Sequence, residues 1–186
     1  TGSRLSTPSR RRQGRDLVVD PIRHGSEIAR FFAHVVRGPG RQDCWLWTGA
    51  IGSDGYGRFA LRRGGWRHVM MVRPPRYALA GARAGQPLQG DVRALHECDV
   101  TLCVRVVGAE EIAAGVRAHV TAGTQQENME QMAARGRGGG RPRVIARGAG
   151  LRARRERALA LREAVRSGWD SAAVEAAMLG GQPRLW

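Results

Sequence analysis

Seven residues of this chain could do chemistry together. They are Cys44, the run His96-Glu97-Cys98 with Cys103 five positions after Cys98, then His119 and Asn128. These three cysteines are all the chain has, an odd number that argues against a disulfide framework. Reduced thiols are either small buried hydrophobes or metal ligands. Histidine is the side chain whose ordinary pKa suits proton removal near neutral pH. A lone Cys-x4-Cys, or a lone His, carries little weight. The order and density of the whole set carry more.

The chain surrounding them is strongly basic. Its 186 residues carry 31 basic side chains against 16 acidic, a formal net charge of +15, and every basic residue is arginine. Such a surplus repels itself unless an anionic partner neutralises it. Nucleic acid is the expected partner, because each phosphate contact releases counterions and adds affinity regardless of sequence. No apolar run spans a bilayer, and no apolar segment follows the basic N-terminus as a secretory signal requires. The expectation is a protein acting on nucleic acid in the cytoplasm, with no membrane partner.

Four segments are expected. Residues 1–24 read as a basic flexible arm. Residues 25–137 hold the ordered domain, 138–150 a Gly/Arg-rich linker, and 151–186 a helical hairpin like the first two helices of a helix-turn-helix. Within the domain, Ser26 caps a helix whose buried face is Ile28, Phe31, Phe32 and Val35. Gly38-Pro39-Gly40 stops that helix. A strand over 45–51, a turn at Asp54-Gly55, a returning strand and a third strand over 66–72 make a small antiparallel meander. Its alternation puts Tyr56, Arg58, Ala60 and Arg62 on one face and Gly57, Phe59 and Leu61 on the other. An arginine-bearing ribbon of this kind can enter a major groove; an ordinary half-buried sheet with a charged face is the simpler alternative. A short helix is expected over 76–79. A further helix starts at Thr124, where Thr124 and Glu127 have capping-box spacing and Met129 and Met132 face inward. In the hairpin, helices over 154–166 and 171–179 flank the turn Ser167-Gly168-Trp169-Asp170. Ala158, Leu161, Ala164 and Val165 would be buried on the first helix, with Val174, Ala177 and Met178 on the second.

The run from His119 to Met129 resembles the H-[LV]-x-x-G-T-x-x-[DE]-N-M motif of the HNH (His-Me finger) endonucleases. Cys44-Trp45-Leu46-Trp47-Thr48-Gly49-Ala50, Asp54-Gly55-Tyr56-Gly57-Arg58-Phe59 and Cys98-Asp99-x3-Cys103-Val104 resemble that family in the same order, so the likeness covers residues 28–137. The zinc-bound relatives are the His-Cys box homing endonucleases. The resemblance implies an α+β fold, with the meander joined to a ββα-metal finger that a structural zinc staples and the helical hairpin appended. It implies a DNA endonuclease of homing or phage type. His96 would be the general base, Asn128 a ligand of a catalytic magnesium, and Cys44, Cys98, Cys103 and His119 the zinc ligands. Arg67, or Arg76 in its place, would hold the scissile phosphate; Arg58 and Arg62 would add DNA contacts. A homodimer, formed on DNA if not before, would cut both strands of double-stranded DNA, whereas a monomer would nick.

The chemistry is consistent with those roles. Water needs a base to attack phosphorus near neutral pH, and a hard cation suits oxygen ligands and the charge that develops on phosphate. A Cys3His zinc site supplies folding energy to a finger with little core of its own. Two departures stand out. Fifteen residues, 104–118, separate Cys103 from His119, far more than the family's usual spacing, and must bulge out as a loop or short helical turn. The family's Asn-Pro pairs are replaced by Val100-Thr101 and Arg105-Val106. Two other functions fit the same residues: a zinc-stapled DNA-binding protein with a vestigial nuclease site, and an HNH restriction endonuclease.

Overall fold

The computed structural model describes residues 14–134 and 144–179. Its elements are α1 (Gly25–Phe32), β1 (Val35–Arg37), β2 (Trp45–Trp47), β3 (Phe59–Leu61), β4 (Met70–Val72), α2 (Pro74–Ala82), β5 (Arg93–His96), α3 (Ala109–Ala113), β6 (Val120–Gly123), α4 (Gln125–Ala134), α5 (Val144–Ala164) and α6 (Ser171–Leu179). The class is mixed α+β, with three two-stranded antiparallel sheets: β1 with β2, β3 with β4, and β5 with β6. None of the described helices is long and apolar enough to cross a membrane.

The continuous meander expected over 44–73 is divided. β2 ends at Trp47 and pairs with β1, Val35 opposite Trp47 and Arg37 opposite Trp45, so Val35 belongs to a strand and not to the helix before it. Only a single bridge, Ile51 with Gly57, closes the Asp54-Gly55 turn. The turn is held by its own side chain. The Asp54 carboxylate accepts the Tyr56 N–H and the Arg58 guanidinium, and Gly55 takes φ +76°, where glycine carries no steric cost. Gly55 is tight for a second reason: a Cβ there would lie 2.9 Å from the carbonyl carbon of Arg154 on α5. Past the turn the expected alternation holds, with Gly57, Phe59 and Leu61 buried and Arg62 exposed.

Aromatic rings dominate the core. Phe31 lies 4.5 Å from Tyr77 and 5.3 Å from both Trp47 and Phe59, centroid to centroid, which joins α1, β2, β3 and α2. Each such pair contributes about 0.5–1.5 kcal/mol beyond the area it buries. Phe32, expected beside Phe31 on the inner face, is instead exposed. One charged group enters this core. Glu27 accepts both guanidinium bonds of Arg63, at 2.7 and 3.0 Å, and the Tyr77 hydroxyl at 3.0 Å. Burial opposes ionisation of Glu27, yet the Arg63 contacts hold its carboxyl below the usual range, while burial beside Glu27 raises the Tyr77 hydroxyl.

The first and last described segments are more tightly bound than composition suggests. Residues 1–13 of the expected arm lie outside the described residues. Leu17, however, pairs with Leu88 and is buried with Val19, so the arm's second half belongs to the domain. Helix α5 starts at Val144, inside the expected linker, whose residues 138–143 lie outside the described residues. The turn 167–170 and helix α6 fall where expected. Ala158, Leu161, Val165 and Ala177 join the same core cluster as Trp47, so the hairpin packs on the domain as part of it. Ala164 and Val174 are half-buried, and Met178 is exposed.

Candidate metal centre and the adjoining strands and helix

Three backbone devices bring the cysteines to one histidine. Cys44 directly precedes β2. The Trp47 N–H donates to the Leu102 carbonyl and the Val104 N–H to the Trp45 carbonyl, which lays Cys103 beside Leu46. Between Cys98 and Cys103 the chain turns tightly, with Asp99 at φ +62° and the Cys103 N–H on the Val100 carbonyl at 3.0 Å. The β5–β6 register sets His96 opposite Val120, and the Glu97 N–H donates to the His119 carbonyl at 2.8 Å, so His119 sits next to Cys98.

The ligand atoms of Cys44, Cys98, Cys103 and His119 all lie within 4.8 Å of one another. The Cys44 and Cys103 sulfurs are 3.5 and 3.7 Å from His119 Nδ1. A tetrahedral zinc, with its ordinary Zn–S and Zn–N bonds, sets sulfur and nitrogen about 3.6 Å apart. All three thiols are free, and His119 is fully buried, its Nε2 without a hydrogen-bond partner among the described residues. Burial pushes the Cys103 thiol up to about 12. Hydrogen bonds with Cys103 and Cys98 push Cys44 up, while bonds from Cys103 and Cys44 pull Cys98 down. A bound divalent ion would stabilise all three as thiolates. The donor set, its burial and its spacing fit zinc.

The fifteen-residue insert does not disturb this arrangement, because it is closed at its base and pinned beside Cys44. The Val120 N–H donates to the Arg105 carbonyl at 3.0 Å. Arg105, buried, donates to the Asp43 carbonyl at 2.7 Å and lies 3.5 Å from Glu111 on α3. Gln42 bonds the Gly115 carbonyl and the Arg117 N–H. The expected short helical turn is α3.

His96 and Asn128 fall on adjacent elements. His96 ends β5, half-buried, with its ring in hydrogen-bonding reach of the Cys98 sulfur. Asn128 is half-buried on α4, which follows β6 directly. The Thr124–Glu127 capping box forms as expected, at 2.6 and 3.1 Å. The inward methionines do not: α4 buries no side chain, and Met129 and Met132 are 62% and 42% exposed. The face toward β5 is polar. Gln131, one turn beyond Asn128, donates to the Glu97 carboxylate at 2.6 Å. Periodicity could not reveal this bond, since its partners are 34 residues apart. With so little packing under α4, Gln131→Ala should cost it about 1–2 kcal/mol locally. Amide exchange across 125–134 should then quicken roughly tenfold, with little change in the global melting temperature.

The arginines separate into two groups. Arg58 is used within the fold, on Asp54 at 2.8 Å and on the Tyr56 and Gly57 carbonyls. Arg76 is half-buried, bonding the carbonyls of Val92, Gln89 and Arg15, and so ties the N-terminal segment to the loop before β5. Both have their donors committed to the protein, which leaves them poorly placed as phosphate contacts. Arg62 and Arg67 are exposed, at the end of β3 and in the turn before β4. Arg67 is therefore carried by a different sheet from His96.

No family model matches this chain, and no solved structure matches it. A segment of 96 residues, 52% of the chain, is 29% identical to Protein 7.7 of Escherichia phage T7, and the match spans 59% of that protein's length.

Proposed function

We propose that the chain is a metal-dependent DNA endonuclease of the HNH, or ββα-metal, type, with a structural zinc at Cys44, Cys98, Cys103 and His119. One observation carries this reading: His96 and Asn128 stand on the strand and helix of the β5–β6–α4 unit, and the Cys3His cluster lies at that unit's base. In this reading His96 removes a proton from the attacking water. Asn128 would offer its side-chain oxygen to a magnesium ion, which, when bound, would supply positive charge to stabilise the developing phosphate charge. Arg67, exposed, is available to a phosphate, and the charge of +15 supplies affinity for duplex DNA. Likeness to a phage protein is compatible with a homing or phage setting and does not select it over restriction.

The purified chain should cut supercoiled plasmid when magnesium is added. One His96–Asn128 pair per chain makes one strand-cutting centre, so linear product should come with a two-to-one protein–DNA complex. Open circle alone from a one-to-one complex identifies a nickase. Tight binding with no cleavage under any divalent ion leaves the vestigial, DNA-binding reading.

A further inference from the structure

The start of α1 and the β3–β4 turn flank an open cleft of about 500 Å³ that the proposed chemistry does not use. Its volume falls within the roughly 300–1,000 Å³ of ordinary ligand sites. Arg23, His24 and Ser26 line one side, and Arg62, Arg63 and Trp66 the other.

The hydrogen-bonding character of this cleft is one-sided. Its acid, Glu27, is consumed by the paired bonds from Arg63 and by the Tyr77 hydroxyl. Asp20, beside Arg23, is outside the lining and accepts the backbone N–H groups of Ile22 and Arg23 on one carboxylate oxygen, Oδ1. His24 Nδ1 accepts the Asp20 N–H, so its Nε2 is left as the ring's donor. What remains to face a ligand is the Arg62 and Arg23 guanidinium groups, the His24 Nε2–H and the Ser26 hydroxyl. Arg62 is exposed and has no ion-pair partner among the described residues. A phosphate is the complement of such a set: it carries negative charge, and its oxygens accept. Trp66, 39% exposed with the Arg63 guanidinium 5.3 Å from its ring, adds an apolar wall of the kind a sugar or base packs against.

We propose that this cleft binds one backbone phosphate of duplex DNA, with Arg62 as its principal cation and Trp66 against the adjoining sugar. The proposal rests on the nucleic-acid partner of the preceding section but not on cleavage. It adds Arg23, His24, Ser26 and Trp66 to the contact surface and places that contact apart from β5 and α4.

The test uses the full chain without magnesium. Binding to a 20-base-pair duplex of arbitrary sequence (roughly two helical turns) is measured by fluorescence anisotropy across a salt series. Inorganic phosphate is titrated separately by calorimetry. Arg62→Ala should lower the slope of log affinity against log salt by about one, and Arg62→Lys should restore it. Trp66→Ala should weaken binding at every salt concentration with the slope unchanged. Unaltered zinc content and melting temperature show that these exposed substitutions leave the fold intact. A slope that Arg62→Ala does not change overturns the proposal. So does inorganic phosphate binding that depends on Arg62 while duplex binding does not, because the cleft then serves a free anion. The two readings fail separately: a chain that binds duplex through Arg62 and never cuts keeps the cleft and loses the nuclease. A chain that cuts, with the slope indifferent to Arg62, does the reverse.

Discussion

Stripping the metal from Cys44, Cys98, Cys103 and His119 should unfold most of the protein, well beyond the finger alone. Cys98 and Cys103 belong to the same buried cluster as Trp47, Phe59 and Leu161, with Val100, Leu102 and Val104 buried between and beside them. Structural zinc contributes about 10 kcal/mol or more in small domains. The total stability of a domain is only about 5–15 kcal/mol, so its loss leaves little margin. Wild-type protein should contain one zinc per chain by elemental analysis. His119→Ala and Cys103→Ala should each contain almost none, and each should lose its cooperative thermal transition. The contrasting case is quantitative. If Cys103 were merely a buried small hydrophobe, replacement by alanine would cost about 1–2 kcal/mol, and a cooperative transition would survive a few degrees lower. Folded, zinc-free wild-type protein with that modest response would remove the metal centre.

His96→Ala should reduce the cleavage rate by about 10²–10⁴-fold, the usual contribution of a positioned base. Duplex affinity should remain nearly unchanged, since it resides mainly in arginine–phosphate contacts. His96 is close to Cys98, so zinc content must be measured alongside. A variant that retains zinc and binding but not cleavage supports the base. Asn128→Ala should lose a comparable factor, and raised magnesium should recover part of it, because Asn128 is proposed to hold that ion. Full activity in His96→Ala with zinc in place would end the assignment of the base, and equal activity in Asn128→Ala would end that of the ligand.

Local chemistry was legible in the sequence wherever a residue's conformation depends on near neighbours. The Asp54-Gly55 turn, the burial alternation through Gly57, Phe59 and Leu61, the Thr124–Glu127 capping box and helix α6 all formed as read, because a few adjacent bonds determine each. The four candidate zinc ligands were legible too, through residue type and order, although Cys44 and His119 are 75 positions apart. Their convergence needed the tertiary structure. The long insert is compatible with the cluster only because Arg105, Gln42 and α3 fold it back against the segment before Cys44.

Strand partners, and the faces that helices present, were decided by packing at long range. β2 pairs with β1 on one edge and bonds Leu102 and Val104 on the other, partners distant in sequence, while β3 pairs with β4. Met129 and Met132 sit at spacing suited to an inner face, yet α4 turns Gln131 inward, toward the Glu97 carboxylate. Arg58 and Arg76 are indistinguishable by type from Arg62 and Arg67. Only the folded chain supplies the Asp54 carboxylate and the backbone carbonyls that occupy the first two, leaving the others exposed. Residue type and spacing therefore determined which chemistry this protein could attempt, while tertiary contacts decided which of its arginines stand exposed to a ligand, because a guanidinium satisfied inside the fold gains little from a phosphate.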